Sequence, residues 1–76
     1  MKFIDIKSEL DGRRSLIRVS DIQRIKELEV IKGIPCCEIY LEMGSSYGAF
    51  HSLEAISDAI GFALATDNSI VKVKDE

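Results

Sequence analysis

The run from Cys36 to Ala65 constrains the fold of this chain more than any other part of its sequence. Inward-facing apolar residues alternate with polar ones from Cys36 to Met43, which is typical of a strand with one buried face. A polar turn over residues 44–48 and a second short strand follow, and residues 52–65 then recur with helical spacing. The sequence therefore predicts a small α+β domain in which a sheet packs against one C-terminal helix.

The predicted helix has an unusually wide apolar surface. On a wheel of about 100° per residue, the core stripe consists of Leu53, Ile56, Ile60, Ala63 and Leu64. Ala55, Ala59 and Phe62 widen the apolar arc to roughly 200°, more than one sheet requires. Two interpretations stay open: the alanines serve as good helix formers with Phe62 against the C-terminal tail, or this flank packs on a second chain. We predict the flank as a protein interface, and Ser52 as the N-cap of the helix.

The N-terminal half predicts a hairpin followed by an ambiguous segment. Residues 2–7 and 14–19 are rich in strand formers, and Asp11-Gly12 between them is a turn signal. Residues 22–31 fit two structures. A capping-box pattern from Ser20 and apolar residues at helical spacing favour a helix that stops at Gly33. The same residues from Arg24 also fit a strand that pairs with 36–43 through a loop containing Pro35.

Length and composition indicate one domain, residues 1–76, with residues 66–76 as an extra edge strand or a frayed tail. A domain of this size buries only about 60% of the surface that its unfolded chain exposes, and oligomerisation is a common support for such chains. We therefore expect a homodimer, to which an exchanged tail strand is one route. No apolar run approaches a membrane span and no signal peptide is visible, so we expect a cytoplasmic protein without membrane contact.

The residues that most often carry chemistry form no convincing set. Cys36 and Cys37 are adjacent, so in a strand Cys37 faces inward and Cys36 faces outward, and we expect both to be reduced. A thiol activity of Cys36 with the sole histidine, His51, is a minor hypothesis, and three such residues do not make a zinc site. We predict no enzyme, no metal and no cofactor.

Charge differs between the two halves of the chain. Residues 1–32 hold eight of the ten basic groups against six acids, whereas residues 33–76 hold two basic groups against seven acids. Arg13, Arg14 and Arg18 could meet phosphate or carboxylate groups, so an anion or nucleic-acid contact is the alternative function. A solvated hairpin face paired with nearby acids is the plainer interpretation. Tyr40 and Tyr47 are second choices for a protein interface.

Three runs carry a family resemblance: IRVSDIQRIKELE (residues 17–29), EIYLEMG (38–44) and HSLEAI (51–56). Their spacing and hydrophobic type resemble the small FlbD-type flagellar regulatory proteins and, more loosely, the LytTR domain. The chain departs from that pattern in a longer loop at 31–35 and an added tail. The resemblance implies a β-rich fold with one C-terminal helix and favours a strand over residues 24–31. Because LytTR domains bind DNA, the resemblance also bears on the alternative function, nucleic-acid binding.

These observations lead to one combined prediction. The fold is a small antiparallel sheet of four to six short strands packed against one helix at about residues 52–65. The function is that of a non-catalytic regulatory or accessory protein that binds an unidentified protein and itself as a homodimer. A flagellar or phage gene neighbourhood would distinguish a motility regulator from a host-directed accessory protein.

Overall fold

Six short strands and one helix make up the chain in the computed structural model, which describes residues 1–30 and 32–74. In chain order these elements are β1 Phe3–Lys7, β2 Arg14–Arg18, β3 Ile22–Glu27, β4 Cys37–Leu41, β5 Ser46–Ala49, α1 Leu53–Ala65 and β6 Ile70–Lys72. The predicted α+β class is confirmed, with the helix at its predicted place. The strands form two three-stranded sheets: a first sheet of order β2-β1-β6 and a second sheet of order β3-β4-β5.

The N-terminal hairpin forms at the predicted turn. The Asp11 carboxylate accepts a hydrogen bond from the Arg13 amide at 2.9 Å, and Gly12 has a φ of +71°, which only glycine adopts without strain. The first sheet grows by β6, which lies parallel to β1 with Phe3 opposite Ile70. The predicted tail strand therefore forms, over fewer residues than the pattern indicates, and it pairs with the chain's own sheet.

The ambiguous segment is a strand where the structure describes it. β3 covers Ile22–Glu27, after a single 3-10 turn at Val19–Asp21 that takes the place of the predicted capping box. Pairing with β4 decides the outcome, because it sets Ile25 opposite Ile39 and adds both side chains to the core. Residues 28–30 lie outside the strand, and the part of the prediction that falls on Ile31 lies outside the described residues.

A short junction joins the two sheets at one corner. Ser8, just after β1, forms an antiparallel bridge with Ala49 at the end of β5, and the Phe50 amide donates to the Lys7 carbonyl at 2.9 Å. Both sheets and the helix then share one apolar core. Its buried members are Ile4, Ile6, Ile17, Cys37, Ile39, Ala49, Ile56, Ala59 and Val73.

The helix is rotated relative to the predicted wheel. Ile56, Ala59 and Ala63 are its buried residues, whereas Leu53 and Leu64, predicted as core, are 36% and 65% exposed. Ala59, predicted on the flank, belongs to the core. Small side chains let the helix approach the sheet closely, so the alanine stripe faces the core and the leucines face out.

Two further predictions in the alternating run are wrong. Met43, predicted inward, is 90% exposed because β4 ends at Leu41 and the chain turns there, with the Gly44 amide donating to the Leu41 carbonyl. The turn comes earlier than predicted, and β5 begins at Ser46. Cys36, predicted outward, is 1% exposed because it precedes β4, so strand alternation does not apply to it.

Candidate functional site

A groove runs between α1 and β6 and contains the predicted flank of the helix. It encloses about 670 Å³. Its apolar surface comes from Ala55, Ala59 and Phe62 on α1 and from Val71 on β6. Phe62 is 52% exposed, and Ala59 is buried against the core, so the aromatic ring is the largest apolar group that the groove presents to solvent. The structure thus joins the predicted flank to β6, the tail segment against which one of the two interpretations placed Phe62.

The two sides of the groove carry opposite charges. Glu54 and Asp58 lie on the helix side, and Lys72 and Lys74 lie on the strand side. The aliphatic stems of the lysines extend apolar contact while their ammonium groups stay in water. Such a groove suits an apolar ridge with a polar rim, which is the usual organisation of a protein interface.

Hydrogen bonds hold the helix flank at both of its ends. The Ser52 hydroxyl accepts from the Ala55 amide at 3.1 Å, which confirms Ser52 as the N-cap. At the other end the Thr66 hydroxyl donates to the Phe62 carbonyl at 2.9 Å, and the Lys2 ammonium donates to the Thr66 carbonyl. The first two bonds therefore cap the ends of α1, and the bond from Lys2 ties its C-terminal end to the residue before β1.

The two predicted tyrosines lie on the second sheet, away from the groove. Tyr40 is on the outer face, where the Arg24 guanidinium lies 4.4 Å from its ring centroid. Tyr47 is opposite Ile39 on the inner face and is 49% exposed at a cleft that Leu41 also lines. The structure therefore does not bring the five predicted interface residues together: the helix flank and the tyrosines are separate surfaces.

Tyr40 belongs to a hydrogen-bond network centred on Glu38. The Tyr40 hydroxyl donates to one carboxylate oxygen at 3.0 Å, and the Ser46 hydroxyl donates to the other at 2.8 Å. These bonds, the one from Ser46 most, lower the pKa of the Glu38 carboxyl, and Lys26 and Arg24 add to the effect. Glu38, Tyr40 and Ser46 on the outer face of the second sheet thus satisfy one another's polar groups.

The three candidate arginines have protein partners or lie in a turn. Arg14 donates from Nε to the Asp5 carboxylate at 2.9 Å and also donates to the carbonyls of Asp5 and Val73. Arg18 lies 3.9 Å from the Asp21 carboxylate. Arg13 is exposed in the hairpin turn. Arg14 therefore ties β2 to β1 and to the residue after β6, and the three do not form one open cationic surface.

The cysteines and His51 are buried. Burial most of all, and then the nearby Glu27 and Cys36, raises the pKa of the Cys37 thiol, which disfavours the reactive thiolate. Both cysteines are reduced thiols. His51 accepts from the Lys7 amide at Nε2, at 2.8 Å. Since an amide can only donate, Nε2 carries no proton, and Nδ1, 3.1 Å from the Lys74 carbonyl, is the protonated nitrogen.

The interface prediction left out the strand side of the groove, although the alternative interpretation placed the C-terminal tail against Phe62. Val71, Lys72 and Lys74 were predicted only as a tail strand, although its alternation already separated Val71 from the lysines. The exposed Leu53 and Leu64, on the opposite flank of α1, were also missed, because a wheel centred on large residues places them in the core.

The described part of the chain contains neither a metal-binding cluster nor a membrane-spanning helix. Across residues 1–30 and 32–74, no three His, Cys, Asp or Glu side chains are grouped so that they could hold a metal ion. Within those same ranges, no helix has the length and apolar character needed to cross a membrane. The molecule belongs to the class of small α+β domains with two three-stranded sheets and one helix. Comparison with protein-family models, with curated proteins and with solved structures gives no significant match.

Proposed function

We propose that this domain is a non-catalytic binding module that forms a homodimer through the groove between α1 and β6 and serves a regulatory or accessory role in the cytoplasm. The single observation that carries this proposal is the half-exposed Phe62 ring beside the apolar surface of Ala55 and Val71. The regulatory role also draws on the resemblance to FlbD-type proteins, and the cytoplasmic setting on the two reduced cysteines.

Burial energetics favour covering this groove. Fully burying a phenylalanine side chain is worth about 1.5–3 kcal/mol, so covering the exposed half of Phe62 in two protomers adds about 1.5–3 kcal/mol. A 76-residue domain has a small core, so a contribution of this size is a large fraction of its stability. Aromatic anchors surrounded by small residues are also the typical centres of protein interfaces.

The two other surfaces predicted from the sequence support binding less well. The outer face of the second sheet directs Tyr40 and Ser46 toward Glu38, which leaves these groups less available to a partner. Arg14, the central residue of the basic patch, is held by Asp5 and by main-chain carbonyls. The basic patch therefore supports nucleic-acid binding less well than the groove supports a protein interface.

Two aspartate substitutions on the same helix test the proposal. Phe62→Asp places a charge in the groove, whereas Leu64→Asp, the matched control, places the same charge at a residue that is also exposed but on the opposite flank. We expect Phe62→Asp to weaken dimerisation by roughly 30-fold or more, as at an interface hot spot, and Leu64→Asp to leave it unchanged. Size-exclusion chromatography with light scattering over a concentration series measures both, and circular dichroism checks that each variant is folded.

Each contrary result has a distinct meaning. A wild-type protein that stays monomeric up to millimolar concentration contradicts the homodimer. A dimer that survives Phe62→Asp but dissociates with Leu64→Asp places the interface on the opposite flank and contradicts the groove.

A further inference from the structure

We infer that the second copy docks edge to edge, with β6 of each copy paired antiparallel and Val71 of the two copies facing each other on the two-fold axis. The inference rests on the proposed homodimer and goes further, because it specifies the strand, the direction and the register of the contact. β6 is the outermost strand of the first sheet, and no strand among residues 1–30 and 32–74 pairs with its far side, which we call the β6 edge.

The main-chain register shows which groups point to that edge. The Ser69 carbonyl accepts from β1 at 2.8 Å, and the Val73 amide donates to β1 at 2.9 Å. Because alternate residues of a strand turn their main-chain groups to opposite sides, Val71 also faces β1, whereas Ile70 and Lys72 direct their amides and carbonyls outward. The edge therefore offers two donors and two acceptors, two residues apart.

A two-fold axis makes this set self-complementary. When Ile70 of one copy lies opposite Lys72 of the other, each pair exchanges two hydrogen bonds, and the symmetry repeats the pair. Four main-chain hydrogen bonds then use all the outward groups of Ile70 and Lys72 in both copies. Val71 and its symmetry mate form the close, non-hydrogen-bonded pair between them. A register centred on Ile70 or on Lys72 would use fewer of these groups.

Side chains agree with the same register on both faces. On the inner face, Ile17, Ile4 and Val71 are already neighbours across β2, β1 and β6, so the axis extends this row into six aliphatic side chains. On the outer face, Lys72 of one copy lies beside Ile70 of the other, so no two lysines are directly opposed.

The helices also fit this arrangement. α1 packs on both β1 and β6. With its axis between these two strands, two copies of α1 would stand roughly 10 Å apart at the usual strand spacing, which is an ordinary distance for packed helices. The short connection from α1 to β6 makes the two elements run in opposite directions. Across the axis the two helices would therefore run in opposite directions, with Ala55 and Phe62 of each copy on the flank that faces the other copy.

Paired cysteines test the register directly. Val71→Cys should cross-link to itself under mild oxidation, because facing residues of a non-hydrogen-bonded pair have Cα atoms about 4.5 Å apart, within the disulfide range. Ile70→Cys and Lys72→Cys should each fail to cross-link alone. An equal mixture of the two, refolded together with one carrying an affinity tag, should give the tagged–untagged disulfide dimer. Wild type provides the background, since Cys36 and Cys37 are buried.

The outcomes separate the inference from the proposed function. We expect about tenfold more disulfide dimer for Val71→Cys, and for the Ile70→Cys with Lys72→Cys mixture, than for wild type or either of those two variants alone. Strong cross-linking of Ile70→Cys or Lys72→Cys by itself overturns the register. If none of these variants cross-links although light scattering shows a wild-type dimer sensitive to Phe62→Asp, the edge contact is wrong and the helix-flank dimer stands. A monomeric wild type overturns both.

Discussion

The two sheets of this domain share a core but differ at their surfaces. On the outer face of the second sheet, polar side chains partner one another, since Glu38 accepts hydrogen bonds from both Tyr40 and Ser46. The first sheet ends instead in a three-residue edge strand beside a groove that contains the half-exposed Phe62. Polar groups that already hydrogen-bond to one another offer few new hydrogen bonds to a ligand. A strand edge beside apolar surface can instead form new main-chain hydrogen bonds and bury apolar area when another chain covers it.

The same contrast separates the roles of two aromatic residues, Tyr40 and Phe62. Tyr40 and Phe62 are both aromatic and both partly exposed, and a sequence pattern treats both as interface candidates. The Tyr40 hydroxyl has an internal acceptor, and its ring has the Arg24 guanidinium above it. Phe62 is 52% exposed beside the apolar side chains of the groove. Partnership within the chain, rather than residue type, separates a structural surface from a binding surface.

The largest expected effect tests whether the two sheets are one cooperative unit. Ile4 in β1 and Ile39 in β4 are both fully buried, one in each sheet. We expect Ile4→Ala and Ile39→Ala each to lower the free energy of unfolding by about 2–5 kcal/mol, through lost burial and the cavity left behind. Urea titration followed by circular dichroism and by tyrosine fluorescence measures both. Two separate transitions, with only one moved by each substitution, would contradict a common core.

An intermediate effect is expected at the junction of the sheets. His51 follows β5 and accepts from the Lys7 amide at the end of β1, so it fastens one sheet to the other. His51→Phe keeps the volume of a ring but leaves the partly buried Lys7 amide without an acceptor, which should cost about 1–3 kcal/mol. Hydrogen exchange should accelerate at the Lys7 amide.

The substitution at Ala49 provides a comparison for this junction. Ala49→Gly lies beside the same corner, and its bridge to Ser8 uses main-chain groups that the change retains. Ala49→Gly should destabilise the fold without selectively accelerating hydrogen exchange at the Lys7 amide. If His51→Phe left the exchange of the Lys7 amide unchanged relative to the rest of β1, the role of the imidazole as a fastener would be excluded.

Local sequence patterns predicted turns and caps better than they predicted which elements pair or pack together. The Asp11-Gly12 turn and the Ser52 N-cap depend on nearby residues, so the sequence was sufficient for both. The strand at Ile22–Glu27 depends on pairing with β4, which lies beyond a loop, and a local capping signal pointed the other way. The groove depends on β6 returning beside α1. No periodicity contains that information, so Val71 and Lys72 were missed as its second side.

The smallest effect concerns the Glu38 hydrogen-bond network on the outer face of the second sheet, and it is measured by titrating the Glu38 carboxyl. Because hydrogen bonds from Ser46 and Tyr40 lower the pKa of Glu38, the folded protein favours the carboxylate. Stability from this network is therefore present above the pKa that Glu38 has in the unfolded chain and is lost as pH falls through its lower, folded pKa. NMR titration of the Glu38 side chain should give a midpoint below the ordinary value for glutamate. Ser46→Ala should raise that midpoint, and Ser45→Ala, one residue away and outside the network, should not. An unshifted Glu38 in wild type would mean that its carboxylate is not held by Ser46 and Tyr40, and the distinction between the two sheets would then rest on the β6 edge alone.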